Sequence, residues 1–375
     1  MHYDIVIVGG GPAGTSAGLS LSKFSNSICI IDKSSFPRPK LCAGIITQKT
    51  IQILTSILPE FELSSYYQTN KISLFSQHNI KCDFFVKYPL TLVDREQFDY
   101  ELLSACKKNG IHIFEQTSFW EFVPEQNKLI LSNGEELSYN ILVAADGIFS
   151  PIRKMLGTGD IQKGFCLQNT LNISSQLNTT LTSLDKVCFD FANLPFGYNW
   201  VLSNQKSVIV GTGVLAKAST YKQTLAEHSK LCVQLGISSS TNLKGAFLPI
   251  GDVVNQALHP YNNIVLIGDA AGYANPITGE GIYYSILSGY YVGKAYQNDK
   301  VHFRDSFLSL MLPVISTMKD NVHLSHYFYS EKLVNNLIFQ LKNCPEYISN
   351  ICDDVFSLEQ RSYRDFFNEL TDLFR

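Results

Sequence analysis

The stretch YDIVIVGGGPAGTSAGLSLSKFSNSICIIDK, residues 3–33, decides the fold. Asp4 to Val8 is a short β-branched run of the kind that forms a parallel strand covered on both faces. It enters Gly9-x-Gly11-x-x-Gly14 and a small-residue helix through about Lys23, after which Ser27 to Ile31 repeats the strand pattern and ends at Asp32. Strand, glycine turn, helix and strand make a βαβ unit, the context in which this glycine spacing signals dinucleotide binding. Gly9 permits the tight turn, Gly11 lets backbone approach a pyrophosphate, and Gly14 brings helix close to strand. The helix N-terminus offers N–H donors and positive potential to phosphates. Asp32, eighteen residues beyond Gly14, is placed to accept from a ribose hydroxyl.

Length and composition fit that reading. With 375 residues, 45% of them hydrophobic, the chain can build two or three substructures around substantial cores. A net charge of −3, from 30 Lys and Arg against 33 Asp and Glu, gives no basic footprint, so no nucleic-acid partner is expected. Nine cysteines without a C-x-x-C pair read as reduced thiols rather than a disulfide framework or zinc site. His323 and His326 have a helix-face spacing without further ligands, so no metal is expected. The apolar run Ile5 to Val8 leads straight into glycine and is no cleavable signal. No apolar stretch of about 20 residues is long enough to span a bilayer. A cytoplasmic protein is expected, with peripheral membrane contact and oligomeric state left open.

Further along, SSFPRPKLCAG (34–44) is irregular, and a helix begins near Thr47 as its N-cap. Ile80 to Tyr88 is strand-like, while Arg95 to Lys108 spaces Phe98, Leu102, Leu103 and Cys106 as a helix face. Asn133-Gly134 predicts a hairpin with a type I′ turn, and Asn140 to Ala145 a buried strand. Gly164 to Gly213 is mostly strand, Tyr221 to Leu235 helical, and Ile264 to Ile267 one more buried strand. Beyond Gly281 the pattern is helical and dense in aromatic residues.

Two further stretches narrow the ligand. In VAADGIFSPIRK (143–154) a buried strand delivers Asp146-Gly147 to a turn, and Ser150 and Arg153 begin a helix. In VLIGDAAGYANPITGEGI (265–282) another strand delivers Gly268-Asp269, and small residues let backbone lie against a ligand before a helix starts near Gly281. The three motifs in this order resemble the FAD-dependent oxidoreductases of the p-hydroxybenzoate hydroxylase fold. PRPKLCAG (37–44), GYNW (197–200) and DAAGYANPITGEGIYYSILSG (269–289) are most similar to the geranylgeranyl reductase family. The resemblance runs from Met1 to about Gly289. It implies an α/β chain, α+β overall: a Rossmann-like FAD-binding domain from residues 1–66, 91–160 and 262–300, and an inserted, mainly antiparallel β-sheet substrate domain from 67–90 and 161–261. C-terminal helices fill 301–375.

The resemblance also implies roles. Gly9, Gly11, Gly14 and Asp32 bind the ADP half of FAD, and Arg95, in VDREQFD (93–99), contacts the flavin. Asp269 meets the ribityl or pyrophosphate region. Gly279, Glu280 and Gly281 lie close to the isoalloxazine, and the helix after them aims its positive end at the flavin N1 and C2 carbonyl. Asp146 and Gly147 belong to the family's Asp-Gly motif. Pro12, Ala13, Lys33, Lys40, Cys42, Ala43, Gly44, Gly268, Pro276 and Ile282 complete the implied cofactor-binding set.

The family's Lys-x-Cys-Gly-Gly segment reads Lys40-Leu41-Cys42-Ala43-Gly44, keeping the thiol and losing a glycine. Its Tyr-x-Trp-x-Phe-Pro strand reads Tyr198-Asn199-Trp200-Val201-Leu202-Ser203, keeping both aromatics and losing Phe and Pro, which bears on the substrate rather than the fold. Cys42, Tyr198 and Trp200 are the candidate catalytic residues, with core filling as the plainer alternative. The implied reaction is hydride transfer from reduced flavin N5 to a carbon–carbon double bond of an apolar, isoprenoid-like substrate, with an acid protonating the other carbon. The electron donor is NAD(P)H or a reduced ferredoxin-like protein. Two alternatives stay open: a flavin-dependent monooxygenase or epoxidase acting on an aromatic or polyketide-like molecule, and a non-catalytic flavoprotein that binds a lipid or partner. The Trp-x-Trp-x-Ile-Pro signature of flavin halogenases is absent from the chain.

Overall fold

The computed structural model describes residues 1–62, 66–75, 81–173, 185–191, 194–204, 206–215, 218–238, 242–329, 331–343, 345–358 and 361–372. Ile80, and parts of the strand-rich region expected between Gly164 and Gly213, lie outside them.

The opening unit is β1 (His2–Val8), α1 (Pro12–Leu21) and β2 (Ile28–Ile31). It is followed by β3 (Ile45–Ile46), α2 (Gln48–Ile57), β4 (Tyr67–Phe75), β5 (Lys81–Leu92) and α3 (Arg95–Lys108). Next come β6 (His112–Phe114), β7 (Phe119–Val123), β8 (Lys128–Leu131), β9 (Glu136–Ala144) and α4 (Pro151–Leu156). The middle of the chain forms β10 (Lys163–Asn172), β11 (Val187–Asp190), β12 (Gly197–Ser203), β13 (Ser207–Leu215), α5 (Tyr221–Gln234) and β14 (Leu243–Pro249). The remainder is β15 (Ile264–Leu266), α6 (Ile282–Asn298), α7 (Phe303–Phe328), α8 (Glu331–Asn343), α9 (Pro345–Cys352) and α10 (Tyr363–Asp372).

Ile5 to Val8 is buried along its whole length because β1 is central: it pairs in parallel with β2 (Ile5 with Ile28) and with β9 (Ile5 with Ile141). The parallel run extends to β6 beside β2 and β15 beside β9, while β8 and β7 continue antiparallel from β9. Strands that alternate with helices and carry unbroken apolar runs give this parallel, two-sided layer. The second sheet has the order β14-β10-β13-β12-β11-β4-β5-β3 and is antiparallel except between β11 and β4. β3, within the first 66 residues, belongs to this sheet, pairing Ile45 with Leu92.

Asn133-Gly134 does join β8 to β9, but not through the type I′ turn expected. Only Gly134 has a positive φ, +84°. Leu131 N–H donates to the Glu135 carbonyl and Gly134 N–H to the Leu131 carbonyl, each at 2.9 Å. A three-residue loop needs one left-handed residue, which glycine supplies, so Asn133 stays in ordinary backbone space.

The small residues of α1 are all buried, and they allow α6 to lie almost on its backbone. A Cβ on Gly289 would sit 2.6 Å from the Ala13 carbonyl oxygen, and one on Gly293 2.0 Å from Ser20 Oγ. The two helices run parallel along this seam, which brings both N-termini to the same end of the molecule. At the other end of the second sheet, Asp353 Oδ2 accepts from Lys87 N–H (2.6 Å) and Oδ1 from Tyr88 N–H (3.3 Å), tying the C-terminal helical segment to β5. Among the described residues no helix is long and apolar enough to cross a membrane, and no group of side chains is arranged to hold a metal ion.

Candidate functional site

A cavity of about 790 Å³ runs from the N-termini of α1 and α6, past the second sheet, to α7, α8 and α9. Its first end is glycine-rich and polar. Gly9 adopts φ +111°, and a Cβ there would meet the Ala145 carbonyl oxygen at 2.2 Å, so the turn admits only glycine. A Cβ on Gly14 would lie 1.9 Å from the Gly9 carbonyl oxygen, the close helix–strand approach expected. Gly11 differs: a Cβ there would clash with nothing and would touch Arg38 Nη2 at an ordinary contact distance of 3.5 Å. No side chain caps α1 or α6, so their first N–H groups are left for whatever the cavity holds.

Asp32 lies in the lining, and its carboxylate braces the glycine turn: Oδ2 accepts from Gly10 N–H (2.7 Å) and Oδ1 from Ser34 N–H (2.8 Å). Asp146 places Oδ2 against Ile152 N–H (3.3 Å), while its Oδ1 is sealed from solvent without a hydrogen-bond partner. Burial pushes the Asp146 carboxyl up to about 6, against the opposing pull of Ser150 and the Ile152 N–H. Gly147 and Pro151 line the same wall. Asp269 is raised by burial too, with Lys40 and Arg95 acting in the other direction.

Arg95 is buried and makes a two-pronged ion pair with fully buried Asp99, Nε to Oδ1 at 2.8 Å and Nη2 to Oδ2 at 3.0 Å. Burial works against its charge, and Asp99 and the neighbouring Cys42 more than restore it. Arg38, within the Pro-Arg-Pro-Lys run, joins Asp99 at 3.5 Å and packs over Phe36. Sequence reasoning gave Arg38 no role, although it faces Gly11 across the cavity.

Arg153, read only as the start of a helix, is buried. It donates to the Ile148 carbonyl at 2.7 Å and the Ala270 carbonyl at 3.1 Å, stapling the Asp-Gly loop to the Gly-Asp loop.

Thr47 precedes α2 as expected, yet its hydroxyl caps nothing and instead donates to Glu280 Oε1 (3.1 Å). Glu280 Oε2 lies 2.8 Å from the Nζ of Lys49, a lysine 3% exposed whose ammonium sits 4.3 Å from the Tyr283 ring centre. Lys49 was missed because a lysine in a helix ordinarily reads as a solvated face.

Cys42, Tyr198 and Trp200 come together on the cavity wall between its two ends. Cys42 Sγ accepts from Gly44 N–H at 3.4 Å, and its carbonyl accepts from Gln168 Nε2 at 3.3 Å. Trp200 lies across β13, occupying the space a side chain at Gly211 would need: a Cβ there would be 2.0 Å from Cε2. Tyr198 donates its hydroxyl to the Thr278 carbonyl at 2.5 Å, and burial raises its pKa. In this structure that proton is directed at backbone rather than into the cavity.

The residues fit FAD. The Gly11 cradle and two uncapped helix N-termini face one elongated cavity, and Asp146 is part of its lining. Gly9, Gly11, Pro12, Ala13, Asp32 and Lys33 line its outer part, while Gly14 lies behind them in the helix–strand contact. Lys40, Ala43, Gly44, Arg95, Pro276, Gly279, Glu280, Gly281 and Ile282 lie further in.

Residues 2–193 match the FAD binding domain family. An uncharacterized protein of Methanosarcina barkeri is 30% identical, over 76% of this chain and 72% of its own. The geranylgeranyl diphosphate reductase of Rhodobacter capsulatus is 26% identical, over 79% and 75%. The solved structure of a geranylgeranyl bacteriochlorophyll reductase-like protein from Thermoplasma acidophilum superposes with a TM-score of 0.78 at 19% identity, covering 99% of both chains. Solved monooxygenase and halogenase chains share the fold at 14% and 15% identity. With its cofactor end built from the expected motifs, the chain belongs to the FAD binding domain family and is an FAD-dependent oxidoreductase with geranylgeranyl reductase relatives.

Proposed function

We propose that the protein reduces carbon–carbon double bonds in an apolar, isoprenoid-like substrate. The observation that carries this reading is the far end of the cavity. There Ile72 and Leu74 of β4, Phe84 and Val86 of β5, Phe189 of β11 and Phe328 of α7 make a hydrocarbon surface continuous with the polar cofactor end. Such a surface selects a flexible apolar chain by area rather than by hydrogen bonds. The names of the related reductases support the same substrate class.

Bound FAD, once reduced, supplies the hydride. The chain's residues supply the rest. Gly11, the N–H groups at the start of α1, Arg38 and Lys33 hold the phosphates. Trp200 forms a rigid apolar floor over Gly211 on which an alkene lies flat. A hydride alone would leave an unstabilised carbanion, so a proton must arrive on the neighbouring carbon. Cys42, held beside Arg95 and fixed by Gly44 N–H and Gln168, is the group we assign to that proton.

NAD(P)H or a reduced ferredoxin-like protein is the proposed electron donor, and the cytoplasm the proposed site of action.

The test is direct. The holoprotein is reduced without oxygen, mixed with geranylgeraniol, and the product examined by mass spectrometry for added hydrogen. Hydrogenated product without oxygen supports the reading. A product that forms only in air and carries an added oxygen atom would replace it with the monooxygenase alternative.

A further inference from the structure

The segment from Asn275 to Gly281 lies between Asp269 and α6 and commits most of its backbone polar groups to named partners. Asn275 Oδ1 accepts from Ile277 N–H (2.8 Å) and Thr278 N–H (3.2 Å). Gly279 N–H donates to the Asn275 carbonyl (2.8 Å), Asn275 N–H to the Glu280 carbonyl (3.0 Å), and Glu280 N–H to Thr278 Oγ1 (3.2 Å). Two carbonyls are taken from outside the segment. The Tyr329 hydroxyl, at the end of α7, donates to that of Ile277 at 2.6 Å, and the Tyr198 hydroxyl of β12 to that of Thr278 at 2.5 Å.

Both tyrosine rings line the cavity. The Thr278–Gly279 peptide is followed by a glycine at φ +70°, a residue that tolerates the inverted peptide at little cost. Within the segment each of the two peptides is held from one side, through the Thr278 and Gly279 N–H groups on Asn275. From the other side the carbonyls are held by a pair of hydroxyls delivered by two other elements.

We propose that Tyr198 and Tyr329 are positioning residues for the cofactor: their hydroxyls draw the Thr278 and Ile277 carbonyl oxygens away from it. The turn into α6 then leaves the uncapped N–H groups at the start of that helix, rather than carbonyl dipoles, toward the electron-accepting ring. This rests on the reading that Gly279, Glu280 and Gly281 lie against that ring. Without one hydroxyl, the matching carbonyl, of buried Ile277 or half-buried Thr278, is an acceptor without its partner, a state that favours rearrangement. Turning toward the cavity, it brings negative partial charge to the place where electrons accumulate, and electron uptake becomes less favourable.

The experiment measures the midpoint potential of the holoprotein under nitrogen by equilibration with a reference dye, for the wild type, Tyr198→Phe and Tyr329→Phe. Tyr261→Phe serves as control, since its hydroxyl bonds Glu125 outside the cavity lining. Each clamp variant is expected to retain FAD and to lower the reduction equilibrium constant about tenfold, equivalent to about 30 mV for a two-electron couple. The control is expected to match the wild type. Unchanged potentials in both clamp variants, or an equal shift in the control, overturn the proposal, as does a fall in thermal stability with no shift in potential. If Tyr198→Phe releases FAD, Tyr329→Phe decides, because it removes the second bond one residue further from the cofactor turn. The potential requires no substrate: a shift without alkene hydrogenation removes the proposed reaction and leaves the clamp, and hydrogenation without a shift does the converse.

Discussion

Replacing Lys49 by methionine isolates the buried ion pair at the cofactor turn. Lys49 Nζ lies 2.8 Å from Glu280 Oε2, with the two side chains 4% and 14% exposed, and its ammonium also rests over the Tyr283 ring. Methionine keeps much of the lysine's volume and removes the charge, so Glu280 remains as a carboxylate with only the Thr47 hydroxyl to satisfy it. Breaking a buried pair from one side costs about 3–5 kcal/mol because the other charge is stranded, and loss of the ammonium–ring contact adds about 1 kcal/mol. Glu280 keeps some access to solvent, so the lower end applies, about 3–4 kcal/mol in total. The assay is urea unfolding of the apoprotein followed by circular dichroism, with comparison restricted to variants whose m-values agree. The double variant Lys49→Met with Glu280→Gln removes both charges and is expected to recover at least about half of the loss, a coupling of roughly 1.5–3 kcal/mol. A single-variant cost below about 1 kcal/mol, or a double variant equal to the sum of the singles, would refute the pair's role in fixing the turn.

Other substitutions separate the cofactor site from its scaffold. Gly11→Val should give folded protein that no longer retains FAD, because its side chain enters the cavity beside Arg38 without meeting backbone. Gly14→Val should fail to fold, because its Cβ meets the Gly9 carbonyl oxygen at 1.9 Å. Colour and circular dichroism of the purified variants check both. Asp146→Asn gives a pH signature: the buried carboxyl is raised from 3.8 to about 6, so protonated Asp146 favours the folded state below pH 4 and that advantage is lost as pH rises through 6. Stability of the apoprotein variant relative to wild type should therefore improve between pH 4 and 7, by at most about 3 kcal/mol, and a flat difference across that range refutes it. Trp200→Ala should leave FAD bound while weakening turnover on the true substrate, and unchanged kinetics would remove the indole from the substrate wall.

The cofactor end was legible because its chemistry depends on backbone shape, and backbone shape is written in short runs. Gly9, Gly11 and Gly14 act within one turn, as do Asp146-Gly147 and Gly268-Asp269, so a few adjacent letters specify each. What stayed hidden depends on partners far apart in the chain. The seam of Gly289 and Gly293 has meaning only once α1 lies against α6. Lys49 and Glu280 are 231 positions apart, and neither residue type announces the other. Arg153 reads only as the start of a helix because its two acceptors, the Ile148 and Ala270 carbonyls, are backbone groups that carry no side-chain signature. Asn133-Gly134 announced a hairpin correctly, but the turn type follows from strand register, which the dipeptide alone does not set.

The same contrast explains why the fold likeness reaches further than any one chemistry. The polar end of the cavity tolerates little change, since a side chain at Gly9 or Gly14 would collide with backbone. The apolar end is assembled from segments spread from Ile72 to Phe356, where one hydrophobic side chain replaces another of similar volume at small cost. A lineage can therefore keep the cofactor end intact and reshape the hydrocarbon wall freely, so reductases, monooxygenases and halogenases come to share one architecture. In this chain the losses from the Tyr-x-Trp-x-Phe-Pro strand fall at Leu202 and Ser203, which pair with Ile209 and Val208 rather than line the cavity. The retained Tyr198 and Trp200 are the two residues of that strand that do line it. On this strand the residues that match the family motif are thus those that face the cavity, and the departures fall where the side chains serve only the sheet.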